Sequence, residues 1–278
     1  MSDNPAQEVI DAYRVQKIGQ WQKIPNLDQK DLGERIAMLE KAFEYMTPVE
    51  FSKNDSITVG KEKEKINYNE IVVAAKKIDD VTDTDAALNG IIPKIFIFKS
   101  PPPIDPSDTK FSIYINEMRK IFDGGNYGGN SVSYLRNKNI IVYNQDFLDN
   151  SSKDEILSAT SHEMAHAIIH KSGIKHNLSS AHTQKDIELI KKEEFLADAY
   201  VAASGEGKNL IQLLKKHLSF ESPIHPPTKK RIQAIEEIMK NPEDGKKYLE
   251  NELQYLKRHT SLPEPADHEN KQSPNTRI

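Results

Sequence analysis

The chain of 278 residues contains no cysteine, no long apolar run and no excess of basic residues. Without cysteine it forms no disulfide and no thiolate metal site, so any metal ion must be held by histidine, aspartate or glutamate. Without a stretch of about 18 apolar residues, no integral membrane segment is expected. The 38 basic residues are balanced by 42 acidic residues, so no nucleic acid is expected among its partners.

The amino-terminal sequence MSDNPAQEVIDAYRVQK also lacks a basic start followed by an apolar core. No secretory signal is therefore predicted. The default expectation is a cytoplasmic protein, and export by a route that uses no cleaved signal stays open. No pattern in the sequence indicates the oligomeric state.

The distribution of apolar residues divides the chain into three regions. Residues 1–85 predict a mostly helical amino-terminal region whose role is unknown. Residues 86–256 combine short β-favouring runs with amphipathic helices, and they predict an α+β, predominantly helical domain with a small mixed sheet. Residues 257–278 contain few apolar side chains and predict a disordered tail.

The first half of this domain predicts the sheet. The runs IFIF (95–98) and FSIYIN (111–116) are rich in β-favouring residues, and SVSYL and IIVYN flank RNKN as in a β-hairpin. The intervening segment 100–128 is rich in glycine and proline. It predicts either a lid over a cleft or a tolerated surface insertion.

The sequence SATSHEMAHAIIHKSG carries three histidines at intervals of four residues. Because residues four apart share a helix face, His162 and His166 can present two imidazoles to one metal ion, while Glu163 is turned about 100° away. This is the HExxH arrangement, in which the glutamate acts on a metal-activated water. His170 continues the spacing, but a fourth protein ligand would close the site to water, so His170 is expected to be a bystander.

A catalytic zinc usually has three protein ligands and a water. The segment EEFLAD places Glu194 and Asp198 four residues apart on one face of a separate predicted helix, among apolar residues. A buried acid needs a partner. Glu194 is therefore the predicted third ligand, and Asp198 is predicted to orient one of the metal-binding histidines. Glu193 is the competing choice for the third ligand.

The motifs HEMAH, EFLAD and HPPTKKRI, in this order, resemble those of the gluzincin metalloendopeptidases of the HtpX and CAAX-prenyl-protease type. The resemblance covers about residues 90–240. It implies a zincin-like catalytic domain with an HExxH active-site helix, a downstream glutamate helix and one catalytic zinc ion. The residues that it assigns are the zinc ligands His162, His166 and Glu194, the general base and acid Glu163, the histidine-orienting Asp198, and His225 and Arg231 beside the active site.

Two of these residues have further predicted roles. His225 lies in a proline-rich loop and is predicted to donate a hydrogen bond to the developing oxyanion, with Tyr134 or Tyr200 as alternatives. Arg231 is expected to pair with an acid behind the site.

Members of the family usually carry transmembrane helices, which this sequence lacks. A prenylated or membrane-embedded substrate is therefore not expected.

The expected activity is hydrolysis of internal peptide bonds in a protein or peptide substrate. The substrate is predicted to pair in extended form with an edge strand that contains Asn130, Ser131, Val132 and Ser133. Glu163 would take a proton from the attacking water and pass it to the leaving amine. Two alternatives stay open. One is a dedicated protease of a single regulatory or host partner, and the other is an inactive or chaperone-like metal-binding protein of the same fold, which the intact Glu163 disfavours.

Overall fold

The computed structural model describes residues 4–44, 48–81, 92–98, 132–174, 183–216 and 225–260. The helices are α1 (Pro5–Gln22), α2 (Gln29–Glu44), α3 (Tyr68–Asp80), α4 (Gln145–Asn150), α5 (Lys153–Lys171), α6 (Gln184–Ala203), α7 (Gly207–Lys216), α8 (Thr228–Lys240) and α9 (Pro242–Thr260). The strands are β1 (Pro48–Phe51), β2 (Ser56–Val59), β3 (Glu64–Asn67), β4 (Lys94–Phe98), β5 (Val132–Leu135) and β6 (Ile140–Asn144). This mostly helical chain with a small mixed sheet agrees with the predicted α+β class.

The main sheet has the strand order β1-β4-β6-β5. Strands β4 and β6 are parallel, and the other neighbouring pairs are antiparallel. The hairpin of β5 and β6 is the one that the sequence predicts, and it turns through a 3-10 segment, Arg136–Lys138. Asn139 completes the turn with a φ of 50°, a left-handed conformation that asparagine tolerates better than most residues.

Residues 48–67 form three strands of four residues each, which the predicted helical region 1–85 did not include. Strand β1 pairs with β4, and α3 packs against α5. Strand β1 thus extends the main sheet, whereas β2 and β3 pair with each other in a separate two-stranded sheet. The sequence pattern does not predict these strands, because each strand is short. In addition, charged residues interrupt their apolar positions. The predicted strand 111–116 and the segment 100–128 lie outside the described residues.

Helix α9 continues to Thr260, beyond the predicted start of a disordered tail at residue 257. It does so because Leu253, Leu256 and Thr260 are buried along one face. The rest of the predicted tail, 261–278, lies outside the described residues. Within the described ranges, none of the helices combines the length and the apolar composition that a bilayer crossing requires.

Helices α5 and α6 form the centre of the molecule. Helix α5 packs against α3, α6, α7 and β5, and α6 packs against α7, α8 and α9 as well. Most of α5 from Ile156 to Ile169 is consequently buried, which is typical of a helix surrounded by protein rather than of an amphipathic surface helix. The HEMAH segment therefore lies in the interior, and its histidines are not a polar face turned towards solvent.

A capping box begins α5. Ser152 Oγ accepts a hydrogen bond from the Glu155 amide, and the Glu155 carboxylate accepts one from the Ser152 amide at 2.8 Å. Lys216 Nζ of α7 donates to the same carboxylate at 2.9 Å. Burial opposes ionisation of Glu155, but Lys216 and Ser152 outweigh it and lower its pKa.

We expect Glu155→Gln to lower the free energy of unfolding at pH 7 by an amount that shrinks as the pH falls. An acid whose pKa is lowered in the folded state stabilises the fold above its unfolded pKa, and this contribution is lost as the pH falls through the folded pKa. Denaturant unfolding of both proteins at neutral and acidic pH measures the difference. A difference that does not change with pH would contradict this assignment.

Ser158 is a buried residue of α5 whose Oγ has no hydrogen-bond partner among the described residues. Its neighbours Thr160 and Ser161, in contrast, donate to carbonyl oxygens one turn earlier. We expect Ser158→Ala to raise the free energy of unfolding by about 1 kcal/mol, because it removes an unsatisfied hydroxyl group and increases helix propensity. Ser161→Ala, which removes an existing hydrogen bond, is the matched control and should not stabilise the protein in thermal unfolding.

Candidate metal centre

Three side chains from α5 and α6 converge on one point in the interior. His162 and His166 lie one turn apart on α5, with 3.2 Å between their Nε2 atoms. Glu194 of α6 faces both, with its Oε1 3.3 Å from His166 Nε2 and its Oε2 3.5 Å from His162 Nε2. All three side chains are buried, and their ligating atoms lie within 4.8 Å of one another. This group has the composition and geometry to hold a metal ion.

The carboxylates behind the imidazoles favour a cation at this point. His162 Nδ1 lies 3.1 Å from Asp198 Oδ1, and His166 Nδ1 lies 2.8 Å from Glu193 Oε1. A carboxylate oxygen only accepts hydrogen bonds, so in the neutral form of each ring Nδ1 carries the proton and Nε2 presents a lone pair. Two lone pairs and the Glu194 carboxylate therefore point at one another, an arrangement that a positive charge between them stabilises.

The charged groups around the site also shift its pKa values. Burial by itself would lower the pKa of His166, but Glu194 and Glu193 outweigh burial and raise it to about 10. Burial of His162 is likewise outweighed, by Asp198 and Glu194, so its pKa is raised. The pKa of Glu194 lies well below its usual value despite burial, because His225 and His166 are close. The site thus attracts positive charge.

Asp198 lies between His162 of α5 and Arg231 of α8 in its contacts. Besides approaching His162, it accepts two hydrogen bonds at 2.7 Å from Arg231 of α8, one from Nε and one from Nη2. This bidentate pair lowers the pKa of Asp198 against the effect of burial. Arg231 therefore pairs with an acid behind His162, and its Nη2 also lies 3.6 Å from Glu194 Oε2.

Glu193, the competing choice for the third ligand, lies outside the group of ligating atoms. Its Oε1 accepts hydrogen bonds from His166 Nδ1 and from Arg136 Nη2. Arg136 belongs to the turn between β5 and β6, 57 residues before Glu193. The letters RNKN indicate only a turn, so no local signal in the sequence predicts this contact.

No protein-family model, curated protein or solved structure matches this chain. The assignment of the site therefore rests on the contacts within the chain itself.

Glu163 connects the HExxH segment to the sheet. It is partly buried, and its Oε2 accepts a hydrogen bond of 2.6 Å from the backbone amide of Tyr134 in β5. Of the predicted substrate-binding residues, Val132 and Ser133 lie in this strand. Asn130 and Ser131 lie outside the described residues. The acid of HExxH thus contacts the strand that was predicted to bind the substrate.

The three candidate oxyanion donors differ in exposure and in their hydrogen-bond partners. His225 Nε2 lies 3.8 Å from Glu194 Oε1, and 39% of its side chain is exposed, so a substrate can reach it. The hydroxyl of Tyr134 instead donates to Asn139 Oδ1 at 3.0 Å, and Tyr200 is almost completely buried. Burial raises the pKa of Tyr134 to about 12. His225 is therefore the best placed of the three.

Two other described histidines, His170 and His259, are not part of the group of ligating atoms. His170 Nδ1 lies 3.4 Å from the Tyr134 hydroxyl, one turn beyond His166, and His170 is not among the converging ligands. His259 Nδ1 lies 2.7 Å from the carbonyl oxygen of Tyr255 in α9. His176 and His182 lie outside the described residues.

Proposed function

We propose that this chain is a zinc metalloendopeptidase that hydrolyses internal peptide bonds in extended segments of protein or peptide substrates. The observation that carries the proposal is the convergence of His162, His166 and Glu194 in the interior, with Glu163 beside them and in contact with β5. Two imidazoles and one carboxylate leave a fourth position for water, which is typical of catalytic rather than structural zinc sites.

The distances between the donor atoms support zinc. Zinc–ligand distances of about 2.0–2.1 Å in a tetrahedral site place neighbouring donor atoms about 3.3–3.4 Å apart. The two Nε2 atoms lie 3.2 Å apart, Oε1 of Glu194 lies 3.3 Å from His166 Nε2, and its other oxygen, Oε2, lies 3.5 Å from His162 Nε2. Calcium takes six to eight oxygen ligands at about 2.3–2.6 Å, and neither the imidazole ligands nor these short separations suit it.

Each residue around the site has its own role in peptide hydrolysis. Bound zinc would supply a Lewis acid and a water whose pKa is about 7. The Glu163 carboxylate accepts a proton as the water attacks and returns it to the leaving amine. His225 donates a hydrogen bond to the oxyanion that develops on the substrate carbonyl. Asp198 holds the ring of His162, and Arg231 holds Asp198 in turn.

Strand β5 can bind the substrate through its outer edge. The Tyr134 amide points to Glu163, away from the neighbouring strand β6. Because amide directions alternate along an antiparallel pair, Ser133 turns its backbone groups towards β6, whereas those of Val132 face outward with those of Tyr134. Pairing with an extended peptide therefore falls to Val132 and to the carbonyl oxygen of Tyr134 rather than to Ser133, since the Tyr134 amide already binds Glu163. Such pairing does not require a chain end, which favours endopeptidase action.

A relationship to the gluzincins of the HtpX and CAAX-prenyl-protease type is part of the same proposal. It is supported by the contacts of the third motif with the second, whose Glu194 in turn approaches both histidines of the first. His225 and Arg231, both from HPPTKKRI, approach Glu194, and Arg231 also binds Asp198 of the EFLAD segment. The order of the motifs along the chain thus corresponds to contacts in one site.

The test compares the wild-type chain with Glu163→Gln. We expect both proteins to retain about one zinc ion per chain, because Glu163 is not a ligand. We expect the wild type alone to cleave a broad peptide library at internal bonds, since loss of a general base lowers a rate by about 100- to 10,000-fold. Elemental analysis and mass spectrometry of the products provide the measurements. Equal cleavage by the two proteins, or a wild type without zinc, would refute the proposal.

A further inference from the structure

His166 is held from behind by a carboxylate and a guanidinium group that the proposed mechanism does not use. Glu193 Oε1 lies 2.8 Å from His166 Nδ1, and Arg136 donates to the same oxygen. Glu193 is 1% exposed, so its charge needs a buried partner, which Arg136 provides. The other metal-binding imidazole has a comparable arrangement through Asp198 and Arg231.

We infer that Glu193 and Arg136 are positioning residues that hold His166 with its Nε2 towards the metal ion. The inference rests on the proposed zinc site. A carboxylate that accepts from the distal nitrogen of a metal-binding histidine fixes its tautomer and ring orientation and raises its basicity. Arg136 keeps the Glu193 carboxylate in place, because a buried guanidinium and carboxylate form a strong, directional pair.

The geometry distinguishes this role from that of a ligand. Glu193 contacts the ring nitrogen on the side of His166 that faces away from Glu194, so it cannot bind the same ion as Nε2. Arg136 directly follows the last residue of β5, the strand whose Tyr134 amide binds Glu163. One strand and the turn after it therefore hold both the proposed base and one of the proposed ligands.

The experiment measures metal affinity in the full chain. Apo protein is titrated with zinc in competition with a chromogenic chelator, and the visible absorption of the cobalt-loaded protein is recorded. The variants are Glu193→Gln and the double variant Glu193→Ala/Arg136→Met, which removes both charges and leaves neither one buried alone. The control is Glu252→Gln in α9. It removes an ion pair with Lys192, the neighbour of Glu193 in α6, and this ion pair does not involve an imidazole.

We expect the double variant to bind zinc about 10- to 100-fold more weakly than the wild type, and the affinity of Glu193→Gln to lie between the two. Both variants should show an altered absorption spectrum when loaded with cobalt. The control should match the wild type in both measurements. If either Glu193 variant folds and binds zinc with wild-type affinity and an unchanged cobalt spectrum, the inference is wrong and the proposed function stands. A wild type that binds no metal overturns both.

Discussion

Replacing Glu194 with glutamine is expected to weaken zinc binding by more than about 100-fold, because losing only a hydrogen-bond partner of a ligand already costs 10- to 100-fold. The substitution keeps the size of the side chain but removes the single anionic donor from the group of three. The two imidazoles would remain 3.2 Å apart without the carboxylate that balances a dication. Zinc content after dialysis and chelator competition measure the loss, and peptide cleavage should disappear with the metal.

The control for this variant is Glu206→Gln. It also removes one negative charge, but from the loop after α6. There Glu206 pairs with Lys77 at 2.6 Å, an ion pair that involves none of the histidines. It should retain zinc and activity. Stoichiometric zinc of wild-type affinity in Glu194→Gln would show that Glu194 is not a ligand, and the choice of the third ligand would have to be revised.

Replacing Arg231 with methionine is expected to lower the free energy of unfolding by about 3–5 kcal/mol, the usual cost of breaking a buried ion pair from one side. Arg231 donates two hydrogen bonds to Asp198, and the side chains are 11% and 1% exposed. Without Arg231, the Asp198 carboxylate keeps its approach to His162 but loses its main compensating charge. Chemical denaturation of the purified variant measures the change.

Two further variants separate the charge of Arg231 from its geometry. Arg231→Lys keeps the positive charge but cannot form the bidentate pair, so its stability should lie between those of wild type and Arg231→Met. The double variant Arg231→Met/Asp198→Asn removes both charges and should recover part of the loss. If the double variant is no more stable than Arg231→Met, the destabilisation comes from lost packing and not from a buried unpaired charge.

Much of the local structure follows from short sequence patterns. Helix α5 begins and ends at local signals, because Ser152 and Glu155 cap its start and Gly173 takes a φ of 94° just after its end. The hairpin around RNKN is confirmed. The strands of residues 48–67 are not predicted, since β1 depends on pairing with β4, more than 40 residues away along the chain.

The sequence by itself determined which residues can act together on one helix. Four-residue spacing puts His162 and His166 on one face of α5, and the same spacing puts Glu194 and Asp198 on one face of α6. The absence of cysteine limits the metal donors to imidazole and carboxylate groups. These conclusions need only helix geometry and side-chain chemistry, and both are local.

Only the tertiary structure decided which acid faces the Nε2 atoms of the two histidines and which groups hold the imidazoles from behind. Glu193 and Glu194 are adjacent and differ by about 100° around α6, so the rotation of α6 against α5 selects Glu194 as the candidate ligand and places Glu193 behind His166. Arg136 reaches Glu193 from the β5–β6 turn. Such contacts depend on how distant elements pack, and no pattern within a single helix or turn encodes them.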